Sequence, residues 1–151
     1  MGSLNCSFEK PTQFSDEALN DTFISLEGKS LTLAQILEIH KGKMILIDVW
    51  ATWCKDCSVS MPIVKALQKD HPDVVFLFLS KDRTETAWKR GIDKYQINGE
   101  HYFVKSGNDG PFADFLNSNW VPRYMVIDKE GKIKLFKAKK ATDKRIKKAL
   151  L

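Results

Sequence analysis

Cysteine is scarce in this 151-residue chain, with three residues, Cys6, Cys54 and Cys57. They are too few and too unevenly placed for a secreted module stapled by disulfides, so only Cys54 and Cys57 read as a designed pair. Long apolar runs are missing too. Nothing approaches the ~20 residues of a membrane span, because Asp48 interrupts the best stretch, Met44-Ile45-Leu46-Ile47-Asp48-Val49-Trp50. The start has no basic segment followed by an apolar one, so no export leader is visible, and the chain as it stands is expected to be soluble. Met1-Gly2-Ser3 fits a remnant in place of a leader or anchor, which leaves open both the compartment and a membrane tether in the full-length protein. His40, His71 and His101 stand singly, without the further Cys or His that structural zinc requires, which argues against a metal centre. There is no internal repeat and no low-complexity linker.

Excess charge is absent from most of the chain. The net charge is +5, and residues 129–151 alone carry ten Lys or Arg against two acids. That segment is mostly Lys and lacks the interleaved aromatic and Arg readers of a nucleic-acid site. It reads as a solvated face rather than a surface for an anionic partner or a membrane. At 43% hydrophobic, the chain can bury one real core and is too short for two comfortable ones. The expected layout is an N-terminal tail over residues 1–22, partly mobile, followed by one domain over residues 23–151. Cys6 then falls in the tail as an untied thiol. Ser3-Leu4-Asn5 is a poor match to the small residues that precede a lipid-attachment cysteine.

The pattern of elements is that of an α/β protein. Phe23-Ile24-Ser25-Leu26, a turn at Glu27-Gly28-Lys29, and Ser30-Leu31 predict a short hairpin. Thr32 with Gln35 makes a capping box for a helix whose apolar face is Leu33, Ile36 and Leu37, with Gly42 as its stop. A strand at about 44–50, a helix at about 57–70 and the apolar run Val74-Val75-Phe76-Leu77-Phe78-Leu79 predict a parallel crossover unit. In such a unit the turn after the first strand lies at the carboxyl edge of the sheet. A helix from Thr84 to about Tyr95, a short one begun by Asp109-Gly110-Pro111, a hairpin over 124–136 and a final helix over Thr142–Leu150 complete the reading. Residues 96–110 carry no clear pattern.

Trp53-Cys54-Lys55-Asp56-Cys57 occupies that strand-to-helix turn. Neighbours three apart on a helix lie about 5–6 Å apart at Cβ, so slight tightening lets the sulfurs bond without moving the fold. The unpaired N–H groups and the positive end of the helix dipole favour the first sulfur as thiolate, the form that attacks disulfides. Lys55 assists that and Asp56 opposes it. A ring this small constrains the unfolded chain little, so the pair suits reversible chemistry better than cross-linking.

With these motifs in place, the sequence resembles the thioredoxin superfamily, most closely its exported, often membrane-tethered bacterial branch of TlpA-like thiol-disulfide oxidoreductases. The likeness covers about residues 23–150. It rests on Gly42-Lys43, the strand ending Asp48-Val49-Trp50-Ala51-Thr52-Trp53-Cys54, then Cys57 and Pro62, and on Val121-Pro122 ahead of the last hairpin. It loosens at residues 96–120, where the chain is longer than a minimal member and partner selection is expected. The resemblance implies a three-layer fold, a central mixed sheet flanked by helices, here with an N-terminal hairpin extension. It implies Cys54 as the attacking cysteine, Cys57 as the resolving one, and Asp48 as a buried acid that takes the Cys57 proton, its pKa raised by burial. It implies a cis bond before Pro122, which would turn the Val121 backbone toward an extended substrate segment. Trp53 and Trp120 would add an apolar docking surface, or else pack; Trp50 and Trp88 are assigned to the core.

The expected activity is thiol-disulfide exchange, reducing partner proteins through a mixed disulfide, with no cofactor and no metal. A disulfide- or dithiol-bearing protein and an upstream thiol donor are the implied partners, without nucleic acid, and the protein is expected to be a monomer in the cell envelope or periplasm. A disulfide oxidase or isomerase would use the same residues at a higher potential. A zinc-binding module lacks ligands, and a non-catalytic binding domain would not need Cys54, Cys57, Asp48 and Pro122 together. Nothing resembles a peroxidase's lone cysteine with threonine and arginine partners.

Overall fold

A computed structural model describes residues 10–151, so Cys6 and the expectation attached to it lie outside the described residues. The elements run α1 (Asp16–Asn20), β1 (Thr22–Ser25), β2 (Ser30–Thr32), α2 (Leu33–Ile39), β3 (Ile45–Trp50), α3 (Lys55–Asp70) and β4 (Val75–Ser80). They continue with α4 (Glu85–Tyr95), β5 (Glu100–Val104), α5 (Pro111–Leu116), β6 (Arg123–Ile127), β7 (Ile133–Ala138) and α6 (Lys144–Ala149). One mixed sheet takes the order β2-β1-β5-β4-β3-β6-β7. β3, β4 and β5 are parallel, while the β1–β2 hairpin and the β6–β7 hairpin join antiparallel at the two sides. The expected α/β three-layer class, with its N-terminal hairpin, is what the chain adopts.

Two consecutive crossovers that step the same way across the sheet must put their helices on the same face. Accordingly, Met61, Val64 and Leu67 of α3, Trp88 of α4 and Ile146 of α6 share one core with Leu46 and Trp50 of β3. The opposite core gathers Ala18 of α1, Ile36 of α2 and Phe112 of α5 around Ile45, Ile47 and Val49. β3 is therefore buried along its whole length, and its side chains alternate between two apolar layers. Within α3 the buried positions Cys57, Met61, Val64 and Leu67 recur at helical spacing, which fixes the face turned to the sheet. α2 carries the capping box read from Thr32 and Gln35, with both reciprocal bonds formed. Gly42 follows with φ +88°, a left-handed value glycine adopts without strain.

Two features differ from the sequence reading. β5 lies in the stretch that carried no pattern. Glu100-His101-Tyr102-Phe103-Val104 is extended because β4 pairs with it on one side and β1 on the other, a tertiary cause that local periodicity does not register. The second is the start of the packed domain, expected at residue 23. α1 lies ahead of that point, with Phe14 and Ala18 buried in the second core, so part of the supposed tail is structural. Its signal was short: Ser15 caps α1 by accepting from the Ala18 N–H at 3.1 Å, followed by only five helical residues.

Asp21 ties this N-terminal segment to the distant α5. Gly110 precedes α5 and offers no side-chain cap. Asp21 supplies the missing acceptor, its Oδ2 receiving the Phe112 N–H at 3.0 Å and the Ser106 hydroxyl at 2.9 Å, while Oδ1 receives the Thr22 N–H at 2.9 Å. Replacing Asp21→Ala leaves these donors unpaired in a buried place and should cost about 2 kcal/mol in denaturant unfolding. A loss below about 0.5 kcal/mol would show that water replaces the carboxylate there.

Candidate active site

The redox turn begins where β3 leaves the sheet. Cys54 caps α3, its sulfur 3.1 Å from the Cys57 N–H, and the two cysteines are joined as a disulfide with Cα atoms 5.2 Å apart. Both are buried, Cys57 more deeply than Cys54. Cys54 lines an open cavity of about 450 Å³ with Trp53, Trp120, Val121 and Asn119, whereas Cys57 belongs to the buried face of α3. Cys54 is thus the cysteine at the cleft and Cys57 the one on the inner face of α3.

Asp48 is 1% exposed, in the middle of β3. Alternation puts it on the same face of the strand as Leu46 and Trp50, both in the core that contains Cys57. Burial raises its pKa from 3.8 to about 8, and its Oδ1 has no hydrogen-bond partner among the described residues. No Lys or Arg stands opposite it. Its ladder neighbours are Phe78 on β4 and Tyr124 on β6. Burial pushes the Tyr124 hydroxyl pKa up, Asp48 adds to the rise, and Ser60 opposes it.

The loop ahead of β6 forms the other wall. The Val121–Pro122 peptide bond is cis, Pro122 is buried and Val121 half-buried. Trp53 is 67% exposed and Trp120 is 74% exposed, so neither is packed into the core. Trp50 and Trp88 are buried, as assigned.

Three supports of this arrangement were not read from the sequence. Asp82, buried just past β4, accepts the Thr52 N–H at 3.0 Å and the Thr52 hydroxyl at 2.6 Å through Oδ1, and the Ser80 hydroxyl at 2.6 Å through Oδ2. It holds the turn two residues before Cys54. The only available signal was an acid two residues past an apolar strand whose end lies at the same sheet edge. Gly91 of α4 touches the same turn, and a Cβ there would collide with the Thr52 side chain. Arg123, 2% exposed, follows Pro122 and donates to the Leu116 carbonyl at 3.0 Å and the Phe136 carbonyl at 3.0 Å, while stacking over the Phe136 ring. Its burial lowers its pKa to about 10.

No group of three or more potential metal ligands occurs among the described residues. None of their helices is long and apolar enough to cross a membrane.

Comparison with known proteins agrees with this geometry. A family model described as Thioredoxin-like matches residues 42–133. The thiol-disulfide oxidoreductase ResA of Bacillus cereus is 29% identical over 129 residues, 84% of this chain and 70% of that protein. The solution structure of a candidate thiol-disulfide oxidoreductase from Bacteroides vulgatus is 31% identical, with a TM-score of 0.72 over 90% of this chain and 87% of that one. The crystal structure of the thioredoxin domain of another Bacteroides vulgatus oxidoreductase shares the fold at 23% identity, with a TM-score of 0.69 over 92% of this chain and all of that one.

The raised pKa of Asp48 has a sign that can be tested. A carboxyl that binds its proton more tightly when folded contributes fully below about pH 4, and the contribution is lost as pH rises toward about 8, at about 1.4 kcal/mol per unit. Asp48→Asn has no such proton. The stability of the oxidised variant relative to wild type should therefore increase steadily between those limits and level off above, as read by urea unfolding across pH. Parallel pH curves for the two proteins would refute a shifted Asp48.

Proposed function

The chain belongs to the thioredoxin-like family, and we propose that this thiol-disulfide oxidoreductase works as a reductase of partner-protein disulfides. The observation that carries the reading is the bonded cysteine pair at the head of α3, with one sulfur opening on a cleft and the other turned toward the layer that holds a carboxyl. In the reduced form the Cys54 thiolate attacks a partner disulfide. One Cys54–partner bond forms, the partner's S–S bond breaks, and one partner thiolate leaves. Cys57 then gives its proton to the Asp48 carboxylate and attacks the Cys54 sulfur, releasing the second partner thiolate and leaving the Cys54–Cys57 disulfide. Two electrons have passed to the partner, and an upstream thiol donor restores the dithiol.

Asp48 suits the second step because, with a pKa of about 8, its ionised fraction of about a tenth at pH 7 is a far stronger proton acceptor than an ordinary carboxylate and is matched to a thiol. Trp53 and Trp120 provide apolar area beside Cys54, and Val121 and Pro122 present backbone to an extended segment of the partner. Disulfides persist in oxidising compartments, so the same reading assigns the domain an extracytoplasmic place.

Cys57→Ser blocks resolution and should accumulate a one-to-one covalent adduct with a disulfide-bearing protein through Cys54, visible by non-reducing electrophoresis and mass spectrometry. If no adduct forms while wild type reduces the same protein, the two cysteine roles are misassigned. Asp48→Asn should slow release of the reduced partner by about 10²-fold at neutral pH, with the first attack little changed. Direction is read by equilibration against glutathione: a reductase couple lies below the glutathione pool, whereas a potential near about −120 mV would mark an oxidase.

A further inference from the structure

The basic C-terminal segment, assigned from sequence to a solvated face, is joined by the fold to the redox site. Beside the cysteine cleft, and sharing Trp120 and Val121 with it, runs a groove of about 420 Å³. One wall is apolar: Val59 and Ile63 of α3, both exposed, face the Trp120-Val121-Pro122 loop. The opposite wall includes Lys139 and Lys140. These two lysines, with Thr142, also line a second cavity of about 590 Å³ beyond β7, so the two depressions meet at this ridge.

The second cavity is surrounded by cations. Lys10, Lys134, Lys137, Lys139, Lys140 and Arg145 line it against one acid, Asp143. Asp143 is already committed to Arg145, with an N–O distance of 2.7 Å, and the five lysines have no ion pair among the described residues. Desolvation first, then Arg123, Lys139 and Lys10, lower the pKa of Lys137, as expected where positive charges crowd without an anion. At the cysteine end the groove holds a carboxylate instead, that of Asp56. A path that starts with mixed charge beside Cys54, where Lys55 and Asp56 both line the cleft, and ends strongly positive orients an extended ligand in one direction.

We propose that this surface selects disulfide partners whose reactive cysteine is flanked, on the segment that leads past Trp120 and Ile63, by Asp or Glu residues that settle on Lys137, Lys139 and Lys140. The inference rests on the reading of Cys54 as the group that attacks a partner protein. That reading makes the occupant a polypeptide, and carboxylates are the polypeptide groups that complement unpaired lysines.

The test uses the reduced full chain and three peptides of equal length, each carrying one disulfide flanked by Glu, Gln or Lys, together with neutral hydroxyethyl disulfide. The Glu peptide should be reduced with a kcat/KM about tenfold above the Gln peptide at low ionic strength, and the Lys peptide below both. The advantage should shrink in 0.5 M salt and vanish in a K139E/K140E variant, whose rate on hydroxyethyl disulfide stays that of wild type. Equal rates for the three peptides, with hydroxyethyl disulfide still reduced, would overturn the acidic preference and leave the reductase reading standing. Failure to reduce any of the four would remove that reading as well. Binding of phosphatidylserine vesicles or a single-stranded oligonucleotide, abolished by K139E/K140E and without preference among peptides, would give the face to that other occupant and overturn the proposal.

Discussion

A carboxyl group lodged without a counter-ion in the central strand is the constraint around which this protein is organised. β3 is sealed on both faces, and in such a place an ionised group is costly unless it is paired. Asp48 has neither an opposing cation nor a hydrogen-bond partner on Oδ1, so it meets the cost by holding its proton up to about pH 8. Any apolar residue of similar size would stabilise the strand better. The α3 layer that covers it contains Cys57, and in the proposed mechanism the acid serves that group, which must lose a proton.

The turn that carries the cysteines is held from outside itself. Asp82 anchors Thr52 with two hydrogen bonds, and Gly91 allows α4 to close on the same residue. Across the cleft, Arg123 fastens the chain after Pro122 to the carbonyls of α5 and β7. These supports lie in the loop after β4, in α4 and in β6, and none involves a sulfur, so they hold their geometry while the sulfurs exchange bonds. Around the cleft two aromatic rings, Trp53 and Trp120, are each more than half accessible, with Lys55, Asp56 and Asn119 beside them. Rigid polar anchoring beneath and exposed aromatic surface above suit a site that binds protein segments briefly.

The same polarity continues along the surface. Excess charge is concentrated at the C-terminal end, and there Lys139 and Lys140, between β7 and α6, reach the groove, while Lys134 and Lys137 of β7 and Arg145 of α6 line the adjoining cavity. Chain order alone allowed either outcome. Because β7 pairs with β6, and β6 follows directly from the Val121–Pro122 loop, the basic edge is adjacent to the substrate side by topology.

The sequence by itself determined the crossover unit, the position of Cys54 and Cys57 at the start of a helix, and the burial of Asp48. Each follows from local rules: an unbroken apolar strand, a helix face repeating at every third or fourth residue, an acid where only apolar residues are expected. Only the tertiary structure decided that Glu100–Val104 is a strand, that Phe14 and Ala18 belong to the core, that Asp82 and Arg123 hold the site, and that Trp53 and Trp120 face outward. Most depend on a segment elsewhere along the chain, a flanking strand, a capping carboxylate or an acceptor carbonyl, and the two tryptophans on what the packed fold leaves open; a contact between segments leaves no period in either one.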